Sequence, residues 1–131
     1  MNVRALIAAA TVLGLAGCFG ENHYEKLADT VTKAVIANDM RPVESDFNAI
    51  VRPKLLNHTR VGALSDRLAP LGNLRSIKED TPSTAPAGEH DFAAHFAKST
   101  WRIRMVMDSD GKISSYYITP PHEAGTPDAG G

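Results

Sequence analysis

Apolar residues recur along this chain with two different periods, and the change between them predicts two structural parts. Up to Gly72 they recur three and four positions apart, which is the spacing of one face of an α-helix. After Gly72 they recur at every second position, which is the spacing of a strand with one buried face. The pattern therefore predicts helices followed by a β-sheet.

The first predicted helix runs from His23 to Met40 and ends near Arg41, because Pro42 disfavours helical geometry in the residue before it. Its apolar stripe consists of Tyr24, Leu27, Ala28, Val31, Ala34 and Val35. Its solvent side consists of Glu25, Lys26, Asp29, Lys33 and Asn38. The spacing thus predicts an amphipathic helix with one buried face.

Two shorter helices are predicted before the sheet. The second begins at Pro42, since proline suits the first turn of a helix. Its inward-facing residues are Phe47, Ile50 and Val51, and Pro53 interrupts it. The third follows a turn in which Asn57 or Thr59 provides the cap, and it closes at Gly72. The apolar positions of the third helix are Val61, Leu64 and Leu68.

Four strands are predicted, over residues 73–79, 90–97, 99–108 and 112–119, with a loop over residues 79–88. The segment Asp108-Ser109-Asp110-Gly111 predicts a hairpin turn, because Gly111 adopts positive φ without strain. In the last strand, alternation places Ile113, Ser115 and Tyr117 on one face and Tyr116 and Ile118 on the other.

These elements predict an α+β fold with about three helices packed on a curved antiparallel sheet of about four strands. Over residues 23–120 the order and loop positions resemble the cystatin-like or nuclear-transport-factor-2-like superfold, and most of all small secreted bacterial domains of it. The resemblance is carried by Phe47 with Leu55-Leu56, by Leu71-Gly72-Asn73-Leu74, and by the strand residues 92–96, 101–108 and 110–113. The resemblance implies a pocket between helices and sheet. Members include isomerases, dehydratases, ligand binders and dimerisation modules, so the resemblance leaves function open.

The first residues have the layout of an export signal: a basic start at Arg4, an uncharged run from Ala5 to Ala16, and small residues before Cys18. The run is too short to span a bilayer, which takes about 20 apolar residues. Leu15-Ala16-Gly17-Cys18 resembles a bacterial lipobox. The resemblance implies a signal peptide over residues 1–17, lipid such as palmitate on Cys18, and a tether over residues 18–22. The alternative is an ordinary secreted protein with a free Cys18.

Size and charge limit the class of protein further. Removing residues 1–17 from the 131-residue chain leaves 114 residues, the size of one domain, which we place at residues 23–120. The tail over residues 121–131 is rich in Gly, Pro and Ala and is predicted to be disordered. The chain has 14 Lys and Arg against 15 Asp and Glu. It therefore lacks the excess of basic residues that would indicate nucleic-acid binding. Cys18 is the single cysteine, so no internal disulfide is possible.

No metal site or cofactor is predicted. His90 and His95 lie five positions apart in one strand, so they point to opposite faces of the sheet. No His pair has the helical spacing of a zinc site, and the single cysteine is expected to carry lipid. No nucleophile motif or glycine-rich phosphate loop is present, and no catalytic residue is predicted.

A pocket between helices and sheet is the strongest candidate site. Its candidate lining residues are His90, Phe92, Phe96, Trp101, Met105 and Tyr117. The alternative is that the aromatic and Met residues form the core against Leu27, Val31 and Leu64. An acid–base site would use the residues His90, Asp91, Arg102 and Arg104 with Tyr116 or Tyr117. The alternative for Arg102 and Arg104 is a solvated strand face paired with Asp91.

The main functional hypothesis is a non-enzymatic lipoprotein of the cell envelope that binds a small hydrophobic ligand or an envelope protein, with a homodimer as one arrangement. Phe19 rather than Asp follows Cys18, which in the lipobox family favours the outer membrane of a Gram-negative cell, on its periplasmic side. The rival hypothesis is an acid–base enzyme of isomerase or dehydratase type, and a third is a passive structural module.

Overall fold

The first described helix begins at a cap formed by the side chains and backbone N–H groups of Asn22 and Glu25. A computed structural model describes residues 22–121, so the predicted signal peptide, Cys18, most of the tether and nearly all of the tail lie outside the described residues. Helix α1 spans His23–Ile36. The Asn22 side chain accepts from the Glu25 N–H at 2.7 Å, and the Glu25 carboxylate accepts from the Asn22 N–H at 3.2 Å. These two hydrogen bonds form a capping box, which satisfies donors that a helix start leaves free.

Two details of α1 differ from the prediction. The helix ends at Ile36 instead of reaching Met40, because Asn38 adopts a left-handed conformation with φ of 53°. Glu25, predicted on the solvent side, is buried, because its carboxylate accepts the Glu79 N–H of the sheet at 2.7 Å. Both differences arise from hydrogen bonds and backbone geometry, which the spacing of apolar residues does not reveal.

The second predicted helix is wrong: the chain forms two short pieces with an extended residue between them. A 3₁₀ helix spans Arg41–Asp46, and a single turn, helix α2, spans Arg52–Leu55. Phe47 between them has φ of −98° and ψ of 146°, and it forms a parallel bridge with Ile113. Ile50, predicted to face inward, is 81% exposed. The Asn48 side chain accepts from the N–H groups of Ile50 and Val51, so it replaces helical hydrogen bonds locally.

Helix α3 spans His58–Leu68 and begins at Asn57, whose side chain accepts from the Arg60 N–H at 2.9 Å. Of the two predicted caps, Asn57 is therefore the one used. A second 3₁₀ helix spans Ala69–Leu71, and Gly72 then leads into the sheet with φ of 83°. Among residues 22–121, no helix has the length and hydrophobicity that a membrane span requires.

The sheet is an antiparallel meander of four strands in the order β1-β2-β3-β4. The strands are β1 at Leu74–Glu79, β2 at Glu89–Phe96, β3 at Thr100–Met107 and β4 at Ile113–Thr119. The predicted α+β architecture, with helices packed against an antiparallel sheet of four strands, is confirmed. Phe92 lies opposite Ile103 and Met105 lies opposite Tyr116, and all four side chains are buried toward the helices.

The hairpin into β4 contains the predicted turn and one irregularity that was not predicted. The Gly111 N–H donates to the Asp108 carbonyl at 3.0 Å, and Gly111 has φ of 77°. The pairing then shifts from Met107 opposite Ile113 to Val106 opposite Ser115, so that the β3–β4 ladder contains a bulge. Ile113 is therefore buried together with Tyr116 and Ile118. The predicted grouping of Ile113 with Ser115 and Tyr117 is wrong for this reason.

Candidate functional site

Four of the predicted pocket residues lie in the hydrophobic core. Phe92 and Met105 are fully buried, and Phe96 and Trp101 are buried apart from a small exposed fraction. They belong to one continuous cluster with the buried residues of α1, and Leu27 and Leu64 pack against it. Their aromatic and Met side chains fill the interface between the sheet and the helices.

His90 closes this interface at the end where α1 begins. Its ring stacks on Tyr24 with the centroids 3.8 Å apart, and its Nδ1 lies 2.7 Å from the Glu79 carboxylate. Thr81 and Asn22 donate to the same carboxylate at 2.6 and 3.0 Å. Burial raises the pKa of Glu79, but the hydrogen bonds from Thr81, His90 and Asn22 outweigh it and hold the pKa below its ordinary value. A polar network therefore ties the start of α1 to β1 and β2.

Asp91 and Tyr117 lie on the opposite face of the sheet from His90. The Arg104 Nε donates to the buried Asp91 carboxylate at 3.0 Å, and Tyr117, which is 62% exposed, lies opposite Arg104 in the register. Arg102 pairs instead with Asp80 at 2.6 Å. The predicted pairing with Asp91 is thus confirmed for Arg104 but not for Arg102. The candidate acid–base groups do not converge on one point, because the sheet separates His90 from Asp91.

The same polar residues do not form a metal site in the described part of the chain. Within residues 22–121, no group of three or more His, Cys, Asp or Glu side chains is arranged to hold a metal ion. The polar clusters at Glu79 and Asp91 are satisfied by protein donors instead.

A groove opens at the other end of the helix–sheet interface, beside the edge strand β4. Its volume is about 370 Å³, and its walls come from α1, Met40, the short helix α2 with the preceding Val51, and α3. The apolar lining residues are Val35, Met40, Val51, Leu55, Val61 and Leu64. The groove exists because the segment predicted as the second helix is broken at Phe47, so no continuous helix covers β4 here.

The floor of the groove is Tyr116, whose hydroxyl group is already occupied. The Thr32 hydroxyl donates to the Ala28 carbonyl at 2.7 Å, so its oxygen accepts from the Tyr116 hydroxyl at 2.6 Å. Burial raises the pKa of Tyr116 far above its ordinary value, although the hydrogen bond to Thr32 opposes this. The phenol therefore stays neutral and presents its apolar ring to the groove.

The rim of the groove is cationic. Lys54 and Arg60 line it, both are exposed, and within residues 22–121 neither forms an ion pair. Residues 47–65 contain Arg52, Lys54 and Arg60 but no Asp or Glu. Sequence reasoning missed the groove residues other than Tyr116 and Tyr117. The acid-free run is the sequence signal that would have drawn attention to Lys54 and Arg60.

The arrangement is suited to a ligand with an apolar body and a negative charge, because apolar walls and floor lie beneath two exposed cations. Comparison of the chain with protein-family models, with curated proteins and with solved structures found no match. The groove and its charges are therefore the basis for a functional proposal.

Proposed function

We propose that this protein is a non-enzymatic binding domain of the bacterial cell envelope, anchored by lipid on Cys18, whose groove beside β4 holds a small hydrophobic ligand. The observation that carries the proposal is the apolar groove of about 370 Å³ with Lys54 and Arg60 at its mouth. This volume falls within the range of small-molecule sites, roughly 300–1,000 Å³. Other pockets of similar or larger volume have more polar linings, such as the one beside Asp91, Arg102 and Arg104, so the groove is the one suited to a hydrophobic ligand.

Within this proposal, the fold is a cystatin-like or nuclear-transport-factor-2-like one. The order of elements supports it, since the helices precede an antiparallel four-stranded sheet and pack on one of its faces. The position of the groove between helices and sheet also agrees with the place where this superfold holds its pockets. The ligand-binding members of the superfold are the appropriate comparison.

A dansyl-labelled fatty acid tests the groove, since its chain is apolar and its carboxylate is negative. We expect the wild-type protein to bind it, and Leu64→Trp to abolish binding because the larger ring fills the groove. Leu71→Trp is the matched control, because Leu71 is also half-buried against the core but does not line the groove. Equal binding by both variants, or none by the wild type, would contradict the proposal.

The anchor is tested separately by Cys18→Ser and cell fractionation. Each buried methylene contributes about 0.8 kcal/mol, so two or more acyl chains hold a protein at a membrane stably. We expect the wild type in the membrane fraction, and in the outer membrane if the cell is Gram-negative. If the Cys18→Ser protein is found in the same membrane fraction as the wild type after removal of the signal peptide, the lipid anchor is excluded.

An acid–base enzyme is the second candidate, and the His90–Glu79 pair favours it. A carboxylate 2.7 Å from Nδ1 orients the imidazole as catalytic histidines are oriented. The two proposals differ in the fate of the ligand that co-purifies with the protein, which mass spectrometry identifies. A binding domain returns the ligand unchanged, whereas an enzyme converts it and loses that conversion in His90→Gln.

A further inference from the structure

The two large hydrophobic side chains that are mostly exposed within residues 22–121 both flank the groove. Ile50 is 81% exposed and directly precedes Val51, which lines the groove. Tyr117 is 62% exposed and lines the groove itself. Because Tyr117 lies on the face of the sheet that carries Arg104, the apolar surface open to a partner consists of Ile50 and the groove beside Val51. We call this surface, with Lys54 and Arg60 at its rim, the groove face.

The exposure of Ile50 is built into the fold. The Asn48 Oδ1 accepts from the N–H groups of Ile50 at 3.1 Å and Val51 at 3.0 Å. The Asn48 N–H donates to the Ile113 carbonyl at 3.0 Å, and its side-chain amide donates to Asp108 at 3.2 Å. The turn over residues 48–51 is thus fastened to β4 and its hairpin. Because the turn cannot fold back onto the core, Ile50 leaves water only when a partner covers it.

The charge of the groove face selects the class of partner. The chain as a whole is nearly neutral, with 14 Lys and Arg and 15 Asp and Glu, but residues 47–65 carry three cations and no acid. Asp108 bonds the turn through Asn48, so the positive charge lies at the groove rim, at Lys54 and Arg60. An apolar groove with cations at its rim is complementary to a bilayer with anionic headgroups, in which apolar side chains enter the acyl boundary and cations remain at the headgroups.

We infer that the turn over residues 48–51 inserts Ile50 into an anionic lipid bilayer, so that the groove opens toward the membrane and takes an anionic lipid from it. Lys54 and Arg60 then lie at the level of the headgroups. The inference rests on the proposed function and deepens it, because it names both the surface that the domain contacts and the class of ligand that it holds.

The covalent geometry of the chain allows the anchor and the groove face to contact one membrane together. Helix α1 has 14 residues and, at about 1.5 Å per residue, is roughly 21 Å long. Residues 18–22 reach at most about 3.5 Å per residue from the lipidated cysteine to the start of α1. The groove, which Val35 near the end of α1 lines, therefore lies within reach of the same bilayer when α1 lies along its surface.

A polarity-sensitive fluorophore placed on Ile50→Cys tests the inference. The full chain is used with Cys18→Ser, so that the label has one thiol and no acyl chain is attached. Vesicles of phosphatidylcholine alone are compared with equimolar phosphatidylcholine and phosphatidylglycerol. We expect a blue shift and a brighter emission at position 50 with the anionic vesicles.

Ser83→Cys in the exposed β1–β2 loop is the matched control, labelled in the same background. Because both proteins carry the same N-terminal residues, a difference between the two labels reports where the domain contacts the membrane. We expect no shift at position 83. Each cation near an anionic surface contributes about fivefold to affinity, so Lys54→Gln and Arg60→Gln should each raise the lipid concentration for half the response by about fivefold.

Three results would overturn the inference: no shift at position 50, an equal shift at positions 50 and 83, or an equal shift with both kinds of vesicle. The first of these would point to a protein partner for the groove face instead. The fatty-acid assay on the wild type separates the two proposals. Fatty-acid binding without a shift at position 50 retains the binding groove and rejects the membrane contact, whereas a shift without fatty-acid binding retains the contact and rejects the groove.

Discussion

The two ends of the helix–sheet interface differ in how the chain closes them. At the start of α1, the Glu79 carboxylate binds Asn22, Thr81 and His90, and the apolar space behind it is filled. At the other end, the hydrogen bonds of Asn48 and Lys112 fasten the segment between the short helices only to the beginning of β4 and its hairpin. A groove of about 370 Å³ remains beside residues 114–117 of the strand. The two ends therefore differ in where their hydrogen bonds lie, since those of Glu79 span the closed end and those of Asn48 lie beside the groove. The unsealed end is where a ligand can enter.

The largest expected effect is a difference in stability between the two ends. Phe92→Ala at the closed end should lower the free energy of unfolding by about 3–5 kcal/mol, since Phe92 is fully buried and leaves a cavity. Leu64→Ala at the groove should cost less, below the roughly 2–5 kcal/mol of a fully buried leucine, because Leu64 is already half-exposed. Urea denaturation measures both values. Equal losses would remove the distinction between a sealed and an open end.

The polar network at the closed end should depend on pH. Glu79→Gln should lower the free energy of unfolding by about 1.5–3 kcal/mol at neutral pH, because the Glu79 carboxylate is charged and hydrogen bonds to a charged acceptor are the stronger ones. The pKa of Glu79 is lower in the folded than in the unfolded state, so the stability it confers is full above the ordinary pKa of 4.5 and is lost as the pH falls.

Thermal unfolding of the wild type and Glu79→Gln at neutral and acidic pH checks this expectation. The gap between the two melting temperatures should narrow as the pH falls below about 4. Glu44→Gln is the control, since Glu44 is exposed in the first 3₁₀ helix and should stay within about 0.5 kcal/mol of the wild type. A gap that does not change with pH would show that Glu79 acts through its shape alone.

A smaller effect is expected at the floor of the groove. Tyr116→Phe removes the hydrogen bond to Thr32 and should cost about 0.5–1.5 kcal/mol without changing the binding of the fatty acid. Because burial raises the pKa of Tyr116, the folded state resists ionisation and loses stability as the pH rises above the ordinary value of 10.0. Tyr116→Phe should therefore lose less stability at alkaline pH than the wild type. Denaturant unfolding of both proteins at neutral and alkaline pH measures how much stability each loses as the pH rises.

The smallest effect is expected at the tip of the turn. Ile50→Ser should leave the free energy of unfolding within about 0.5 kcal/mol of the wild type, since Ile50 makes little contact with the core. Calorimetry measures this change. A large loss of stability would mean that Ile50 packs inward in solution. The groove end would then depend on Ile50 for its stability, and the contrast with the closed end would not hold at this residue.

The fold class was predictable because it depends on period alone. The change at Gly72 separates the helices from the strands, and the alternation through Phe92 and Ile103 identifies the buried sheet face. The broken helix was not predictable, because Phe47, Ile50 and Val51 match a helical stripe while the hydrogen bonds of Asn48 oppose it. Local side-chain hydrogen bonds decided between two conformations that the apolar pattern left equal.

The candidate site was harder to predict than the fold, since a groove is a gap between elements. Phe92, Phe96, Trp101 and Met105 were good candidates by chemistry, but the helix layer packs directly on them. Tyr117 lines the groove at the edge of the sheet, although the bulge places it opposite Arg104 on the outer face. Lys54 lies at the end of the second predicted helix, which is broken, and Arg60 lies in the first turn of α3. Their position at one rim therefore had no basis in the pattern alone.

The bulge in β4 also bears on how copies of this protein avoid one another. Strand β4 is an edge of the sheet, and an unbroken edge invites strands of other molecules to pair with it. Here the bulge interrupts the regular ladder, and the bridge from Phe47 to Ile113 occupies the beginning of the strand. The length left for pairing with a second molecule is short. At the high local concentration that the proposed lipid anchor would produce at a membrane, this short edge would protect the domain from aggregating through β4.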